Sequence, residues 1–170
     1  IDRTFNLKIS YAKAILEFFL AKNEDYFLHF EVIPDNFPEE LRELLKKFKT
    51  GSLQLEVGIQ TLNMDVAKQI NRNLRFEKIK DNLNFLSKET NAHMHIDLIV
   101  GLPTESIESF RANLDLLYTM SSGEIQIGIL KKLSGTTLNR HDELHGMVYN
   151  PNPPYDILKN NLIDFSLMQD

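Results

Sequence analysis

The chain has 170 residues, 19 Lys+Arg against 24 Asp+Glu for a formal net charge of −5, and is 42% hydrophobic and 25% charged. Those proportions describe a globular chain with a core of its own, not a disordered one, and no apolar run approaches the roughly 20 residues of a membrane helix. The acidic balance argues against a nucleic-acid binder. The absence of cysteine excludes disulfides, thiolate metal sites, cysteine nucleophiles and iron–sulfur ligation by these residues.

In chain order, a helical period covers 7–22, with Ile15, Leu16, Phe18 and Phe19. A strand at 28–33 stops at Pro34. A helix at 38–49 opens on Pro38, suited to a first turn, and repeats Leu41, Leu44, Leu45 and Phe48. Its Lys46, Lys47 and Lys49 mix with Glu39, Glu40 and Glu43 as a solvated face. Residues 53–60 alternate strictly, as a half-buried strand does. Helices are predicted at 65–70 and 76–88, a third strand at 93–101, and a helix at 104–120 with Thr104 as its N-cap. A fourth strand follows at 125–131. The turn Asn150-Pro151-Asn152-Pro153-Pro154 leads to a last helix at 155–168. Strands alternating with helices predict βαβ units and a parallel sheet in a single α/β domain.

The apolar face of each strand is expected to meet helices: Leu28, Phe30 and Val32; Leu53, Leu55, Val57 and Ile59; Met94, Ile96, Leu98 and Val100; Ile125, Ile127 and Ile129. The other face carries His29, Glu31, Gln54, Glu56, Gln60, His93, His95, Asp97 and Gln126. A doubly wound sheet needs both faces apolar, and a closed eight-stranded barrel fills its interior with branched apolar residues. A polar second face fits a barrel sector whose interior holds a ligand. Gly58, Gly101 and Gly128 would let that ligand approach the backbone.

Several motifs recur in order: Asp2-Arg3-Thr4-Phe5-Asn6, His29-Phe30-Glu31, the run from Glu56 through Gly58 and Gln60 to Asn63, His95-Ile96-Asp97-Leu98-Ile99-Val100-Gly101-Leu102-Pro103, Gln126-Ile127-Gly128-Ile129-Leu130-Lys131, Ser134-Gly135-Thr136 and Pro153-Pro154-Tyr155. Together they resemble the radical S-adenosylmethionine (SAM) enzymes. The nearest branch joins a cobalamin-binding-type N-terminal domain to a radical-SAM core. Its members are often labelled anaerobic magnesium-protoporphyrin IX monomethyl ester oxidative cyclase. The resemblance runs from Asp2 to about Leu158 and implies a partial (β/α)6 TIM-like barrel with parallel strands. The family's C-x-x-x-C-x-x-C loop follows its first strand and has no counterpart here, while Asp2-Arg3-Thr4 resembles the end of its second strand. With Ile1 in place of methionine and no leader pattern, residues 1–170 are expected to be an excised C-terminal part of the barrel, with 150–170 as a loop and trailing helix.

The resemblance implies a cytoplasmic parent enzyme that cleaves SAM reductively at a [4Fe–4S] cluster, giving a 5′-deoxyadenosyl radical. The cobalamin-binding-type domain of that branch makes cobalamin a candidate further cofactor of the parent, with its binding left open. The piece itself is expected to be inactive and to bind none of the three. A small-molecule substrate is expected, with no nucleic acid or membrane partner, and self-association through an exposed barrel edge.

The resemblance also places Asp2, Arg3 and Asn6 near the SAM amino and carboxylate groups, where Asp2 and Asn6 accept from an ammonium and Arg3 pairs with a carboxylate. It places Glu31 and Gln60 near the ribose or methionyl group, and the Gly101-Leu102 turn near the adenine. No catalytic residue is assigned. By spacing alone, His93, His95 and Asp97 share one strand face, a donor set suited to zinc or iron. Their depth in the strand favours a buried polar network, and no metal site is expected. His141 and His145 are expected at the surface. Two other readings are a cluster-free binding scaffold with a degenerate barrel, and a metal-dependent hydrolase built on the His-x-His strand.

Overall fold

The computed structural model describes residues 4–169, without the side chains of Thr137, Leu138 and Gln169. The main elements are α1 (Ile9–Leu20), β1 (Leu28–Val32), α2 (Glu39–Leu45), β2 (Leu53–Gln60), α3 (Met64–Gln69), α4 (Phe76–Glu89), β3 (His93–Val100), α5 (Ile107–Met120), β4 (Glu124–Ile129), β5 (Val148–Tyr149), β6 (Ile157–Lys159) and α6 (Phe165–Gln169). Four parallel strands form one sheet in the order β1-β2-β3-β4, and β5 pairs with β6 in a separate antiparallel ribbon. In β1 and β2 the register runs from Leu28 opposite Leu53 to Val32 opposite Val57. This is the expected α/β architecture of a partial barrel.

The residues divide into two compact units. One comprises Ile1–Ile59, Arg75–Asp97 and Tyr118–Gln126. Its core is mainly aliphatic, with one phenylalanine among its largest buried side chains: Leu16, Leu41, Leu45, Phe48, Leu53, Leu55, Ile79, Leu83, Leu86 and Ile96 are all fully buried. Each such side chain contributes about 1.5–3 kcal/mol by leaving water. The other comprises Gln60–Leu74, Leu98–Leu117 and Ile127–Asp170. Val66, Leu102, Leu130, Met147 and Ile157 form its core, flanked by Ile70, Ile99, Tyr149 and Met168.

Strand alternation predicts the buried face well in β2 and β3. Leu53, Leu55, Val57, Ile59, Met94, Ile96 and Leu98 are buried, whereas Gln54, Glu56, Gln60, His95 and Asp97 are half-buried. β4 departs from expectation, with Ile127 52% and Ile129 43% exposed. It is the last strand of the sheet, and alternation reveals an apolar face without revealing what covers it.

Two further expectations change at the helix ends. Thr104 sits at φ 67°, and α5 starts at Ile107. The capping oxygen is Ser106 Oγ, which accepts from Ser109 N at 3.2 Å. The expected helix at 155–168 is β6 followed by the short α6. Its backbone is already spent: Ile157 N donates to Leu130 O at 2.8 Å and Tyr155 O accepts from Lys132 N at 3.0 Å. Asn160 Oδ1 then accepts from Leu162 N and Ile163 N at 2.8 and 2.9 Å, a side-chain turn that competes with helix.

Candidate functional site

The β1–β2 register sets Glu31 directly opposite Glu56. His29 Nε2 lies 3.1 Å from Glu56 Oε1. Asp97 stands on the same polar phase of β3 and is half-buried. Burial raises its carboxyl pKa, the charge of Glu56 adds to the rise, and His95 opposes it. Three carboxylates on β1, β2 and β3 therefore share a face, and at Asp97 negative charge is already disfavoured. Such a face is relieved by a cation. In the sequence Glu56 stands in the polar set with no ligand role, and Asp97 appears only beside His93 and His95 in a metal donor set. The signal for them was register, which sequence does not give.

Asn6 is fully buried. Its Nδ2 donates to Ile33 O and Asn36 O at 2.9 Å each, and its Oδ1 accepts from Ile33 N at 2.9 Å. The expected contact with an ammonium gives way to a clamp on the loop after β1, because backbone groups take both ends of the amide. Asn6→Ala should cost about 2 kcal/mol of stability through unsatisfied backbone groups, read by denaturant unfolding. Asp2 and Arg3 lie outside the described residues.

Gln60 ends β2 at φ 69°, an uncommon backbone conformation for a residue with a side chain. Thr61, just beyond it, is buried and belongs to a polar cluster around Glu105. Glu105 is 1% exposed. Its Oε1 accepts from Asn113 Nδ2 at 2.7 Å, Thr61 Oγ1 at 2.8 Å and Ser109 Oγ at 3.4 Å. Asn113 also donates to Thr61 Oγ1 at 3.1 Å, and Asn63 N donates to the same oxygen at 3.0 Å. Glu105 Oε2 is buried without a hydrogen-bond partner. Burial raises the Glu105 carboxyl pKa, and the Thr61, Ser109 and Asn113 bonds partly restrain it. The cluster ties the end of β2 to the turn after β3 and to α5. Sequence reasoning missed it, although Asn113 lies three residues after Phe110 and four before Leu117, on the same buried face of α5, and so marks a buried amide.

Gly101 was expected to bare its backbone. It is instead buried at φ 89°, and a Cβ there would lie 2.6 Å from Ile157 Cγ2. Leu102 belongs to the core. The glycine is required by packing and by the left-handed turn. Gly101→Ala should lower stability by about 2 kcal/mol, measured by thermal unfolding.

The histidines also depart from expectation. His93 and His95 do meet, with Nε2 atoms 2.8 Å apart. The third member of their group is Glu124, not Asp97. Only one of the pair is deep: His93 opens β3 and its side chain is 56% exposed, whereas that of His95 is 16% exposed. His95 Nδ1 lies 2.6 Å from Gln126 Nε2 and 3.3 Å from Gln54 Nε2. His141, expected at the surface, is buried. Arg140 Nε donates to its Nε2 at 2.9 Å, and burial, with the Arg140 charge second, lowers its pKa. The His145 ring stacks 5.5 Å from it.

Comparison with known proteins accounts for this arrangement of strands and turns. Over 115 residues the chain is 25% identical to the oxygen-independent coproporphyrinogen III oxidase of Helicobacter pylori, covering 68% of this chain and 25% of that protein. It is 22% identical over 118 residues to a probable threonylcarbamoyladenosine tRNA methylthiotransferase of Pyrococcus abyssi, covering 68% of this chain and 28% of that protein. The chain thus spans about a quarter of the length of the curated relatives it matches. In fold it is similar to the radical S-adenosylmethionine methyltransferase TsrM from Kitasatospora setae. The TM-score is 0.72 at 18% identity, over 96% of this chain and 33% of that one. The coproporphyrinogen III oxidase HemN from Escherichia coli, a radical SAM enzyme, aligns with a TM-score of 0.57 at 26% identity, over 72% of this chain and 28% of that one. Residues 4–117, which hold β1 to β3, the Gly101 turn and most of α5, match the family model of the Radical SAM superfamily. The chain belongs to the radical SAM superfamily.

Proposed function

We propose that this chain forms part of the SAM-holding wall of a radical SAM enzyme. The observation that carries the reading is the alignment of Glu31, Glu56 and Asp97 on one polar face. SAM presents a sulfonium and an ammonium, and its ribose presents hydroxyls. Glu31 meets the ammonium, Glu56 and Asp97 supply a negative field for the sulfonium, and the Gln60 amide bonds a ribose hydroxyl. Gly101 and Leu102 contribute through the shape of the turn beside the adenine, and Asn6 holds the loop after β1. Asp2 and Arg3 pair with the SAM amino and carboxylate groups.

When bound, SAM would supply a 5′-deoxyadenosyl group, and the activity proposed for the full-length protein is one-electron reductive cleavage of the SAM C5′–S bond, which releases methionine and leaves a 5′-deoxyadenosyl radical. The family's [4Fe–4S] cluster does not fit the residues present. Its thiolate ligands cannot come from a chain without cysteine.

The substrate is a small molecule of the porphyrin type, with chemistry like the magnesium-protoporphyrin IX monomethyl ester oxidative cyclases. The coproporphyrinogen oxidase relatives support a tetrapyrrole. Cobalamin belongs to the same proposal, supported by the structure of TsrM with cobalamin and a cluster bound. The enzyme is cytoplasmic, and its net charge of −5 disfavours nucleic acid. Among the described residues no helix is long and apolar enough to cross a membrane. Tyr11, Ile15 and Phe18 on α1, with Ile127 and Ile129 on β4, are exposed and support self-association.

Calorimetric titration of the full-length protein with SAM and with S-adenosylhomocysteine, its neutral thioether counterpart, tests the reading. SAM should bind at least about tenfold tighter, the equivalent of 1.4 kcal/mol for the added charge. Equal affinities would contradict a carboxylate face that reads the sulfonium.

A further inference from the structure

We propose that His93, His95 and Glu124 form a binding site for one divalent transition-metal ion of zinc-like preference at the start of β3 and β4. One ligand atom from each residue lies within 4.8 Å of the others. Two imidazoles and a carboxylate suit Zn²⁺, Co²⁺ or Ni²⁺, whereas Mg²⁺ and Ca²⁺ favour oxygen alone.

The distances fit this class of ion. Bonds of about 2.0–2.1 Å in a tetrahedron put neighbouring donors roughly 3.3 Å apart. The two imidazole Nε2 atoms are 2.8 Å apart. Glu124 Oε2 is 3.4 Å from His95 Nε2 and 3.7 Å from His93 Nε2. These spacings bracket the tetrahedral edge, so shifts of about half an ångström accommodate the ion. The His93 and Glu124 side chains are 56% and 60% exposed, which leaves them room to make those shifts.

A second observation concerns orientation. Histidine ligands are usually held through their other ring nitrogen. His95 is only 16% exposed, and its Nδ1 lies between the Gln126 and Gln54 amides. Its Nε2 is thereby directed at the other two ligands. Turning the Gln126 amide end for end places Oε1 to accept from Nδ1–H, which leaves the Nε2 lone pair for the ion. Three protein ligands leave a fourth position for water.

The site pins the first residue of β3 to the first residue of β4, the last strand of the sheet. Its ligands do not include Asp97, Glu31 or Gln60.

The test uses the whole chain, stripped with a chelator. Co²⁺ should give the visible bands of a tetrahedral site and saturate at one ion per chain, and Zn²⁺ should displace it. Zinc should raise the melting temperature by several degrees. His93→Ala and Glu124→Gln alter exposed side chains and should melt like the wild type without metal. Each should weaken zinc binding at least about tenfold and abolish the zinc-dependent rise, while His145→Ala changes neither. If His93→Ala does not fold, Glu124→Gln decides the question. Wild-type chain that binds no zinc, variants that bind it as the wild type does, or equal competition by Mg²⁺ would each overturn the proposal.

Discussion

Glu105→Ala is expected to cost about 3 kcal/mol or more of folding stability. The substitution removes the oxygen that accepts from Thr61 and Asn113 at 2.8 and 2.7 Å. Each buried donor left without a partner costs about 1–3 kcal/mol, and the missing side chain adds a cavity. Glu105→Gln retains an acceptor and removes the burden of a buried charge, so it should be nearly as stable as the wild type at neutral pH. The two also separate by pH. Burial raises the Glu105 carboxyl pKa in the folded state, so the folded protein keeps its proton to higher pH than the unfolded chain does. The resulting stability is full below the ordinary carboxyl pKa and is lost as pH rises through the folded value. The wild type should therefore lose more stability than Glu105→Gln across that window. Denaturant unfolding at a series of pH values measures both effects, and parallel pH profiles would place the charge elsewhere.

Glu31→Gln in the full-length protein is expected to weaken SAM binding by about 1.5–3 kcal/mol, the range for a hydrogen bond to a charged group. Gln60→Ala should cost nearer 1 kcal/mol, as for a neutral one. His93→Ala should leave SAM affinity unchanged. Calorimetry on the three variants gives the comparison directly. Loss of SAM binding in His93→Ala with retention in Glu31→Gln would put the ligand on the wrong residues.

Periodicity carried much of this in advance. Leu53, Leu55, Val57 and Ile59 on β2, with Met94, Ile96 and Leu98 on β3, are buried as the alternation predicts, because period 2 sorts side chains by face. The same reasoning aligned Gln54, His95 and Gln126, which do meet. It failed where the partner comes from another element. Glu124 replaces Asp97 beside the histidines because it comes from the neighbouring strand, which spacing within one strand cannot show. Gly101 reads in sequence as open backbone, but Ile157, 56 residues later, fills the space above it. Asn6 and Glu105 look like ordinary polar residues until the backbone of Ile33 and the side chains of Thr61 and Asn113 are brought to them. Tyr155 to Met168 carries a helical pattern, yet pairing of Ile157 with Leu130 takes its first residues into a strand.

Reductive cleavage of SAM is the activity proposed for the full-length protein. Its most direct test is anaerobic incubation of the full-length protein, after reconstitution with iron and sulfide, with SAM and a strong one-electron reductant, followed by chromatography for 5′-deoxyadenosine. The account predicts that 5′-deoxyadenosine forms, and that at subsaturating SAM the Glu31→Gln protein forms it more slowly, with the difference shrinking as SAM is raised. Cluster-loaded protein that yields no 5′-deoxyadenosine at saturating SAM would contradict it.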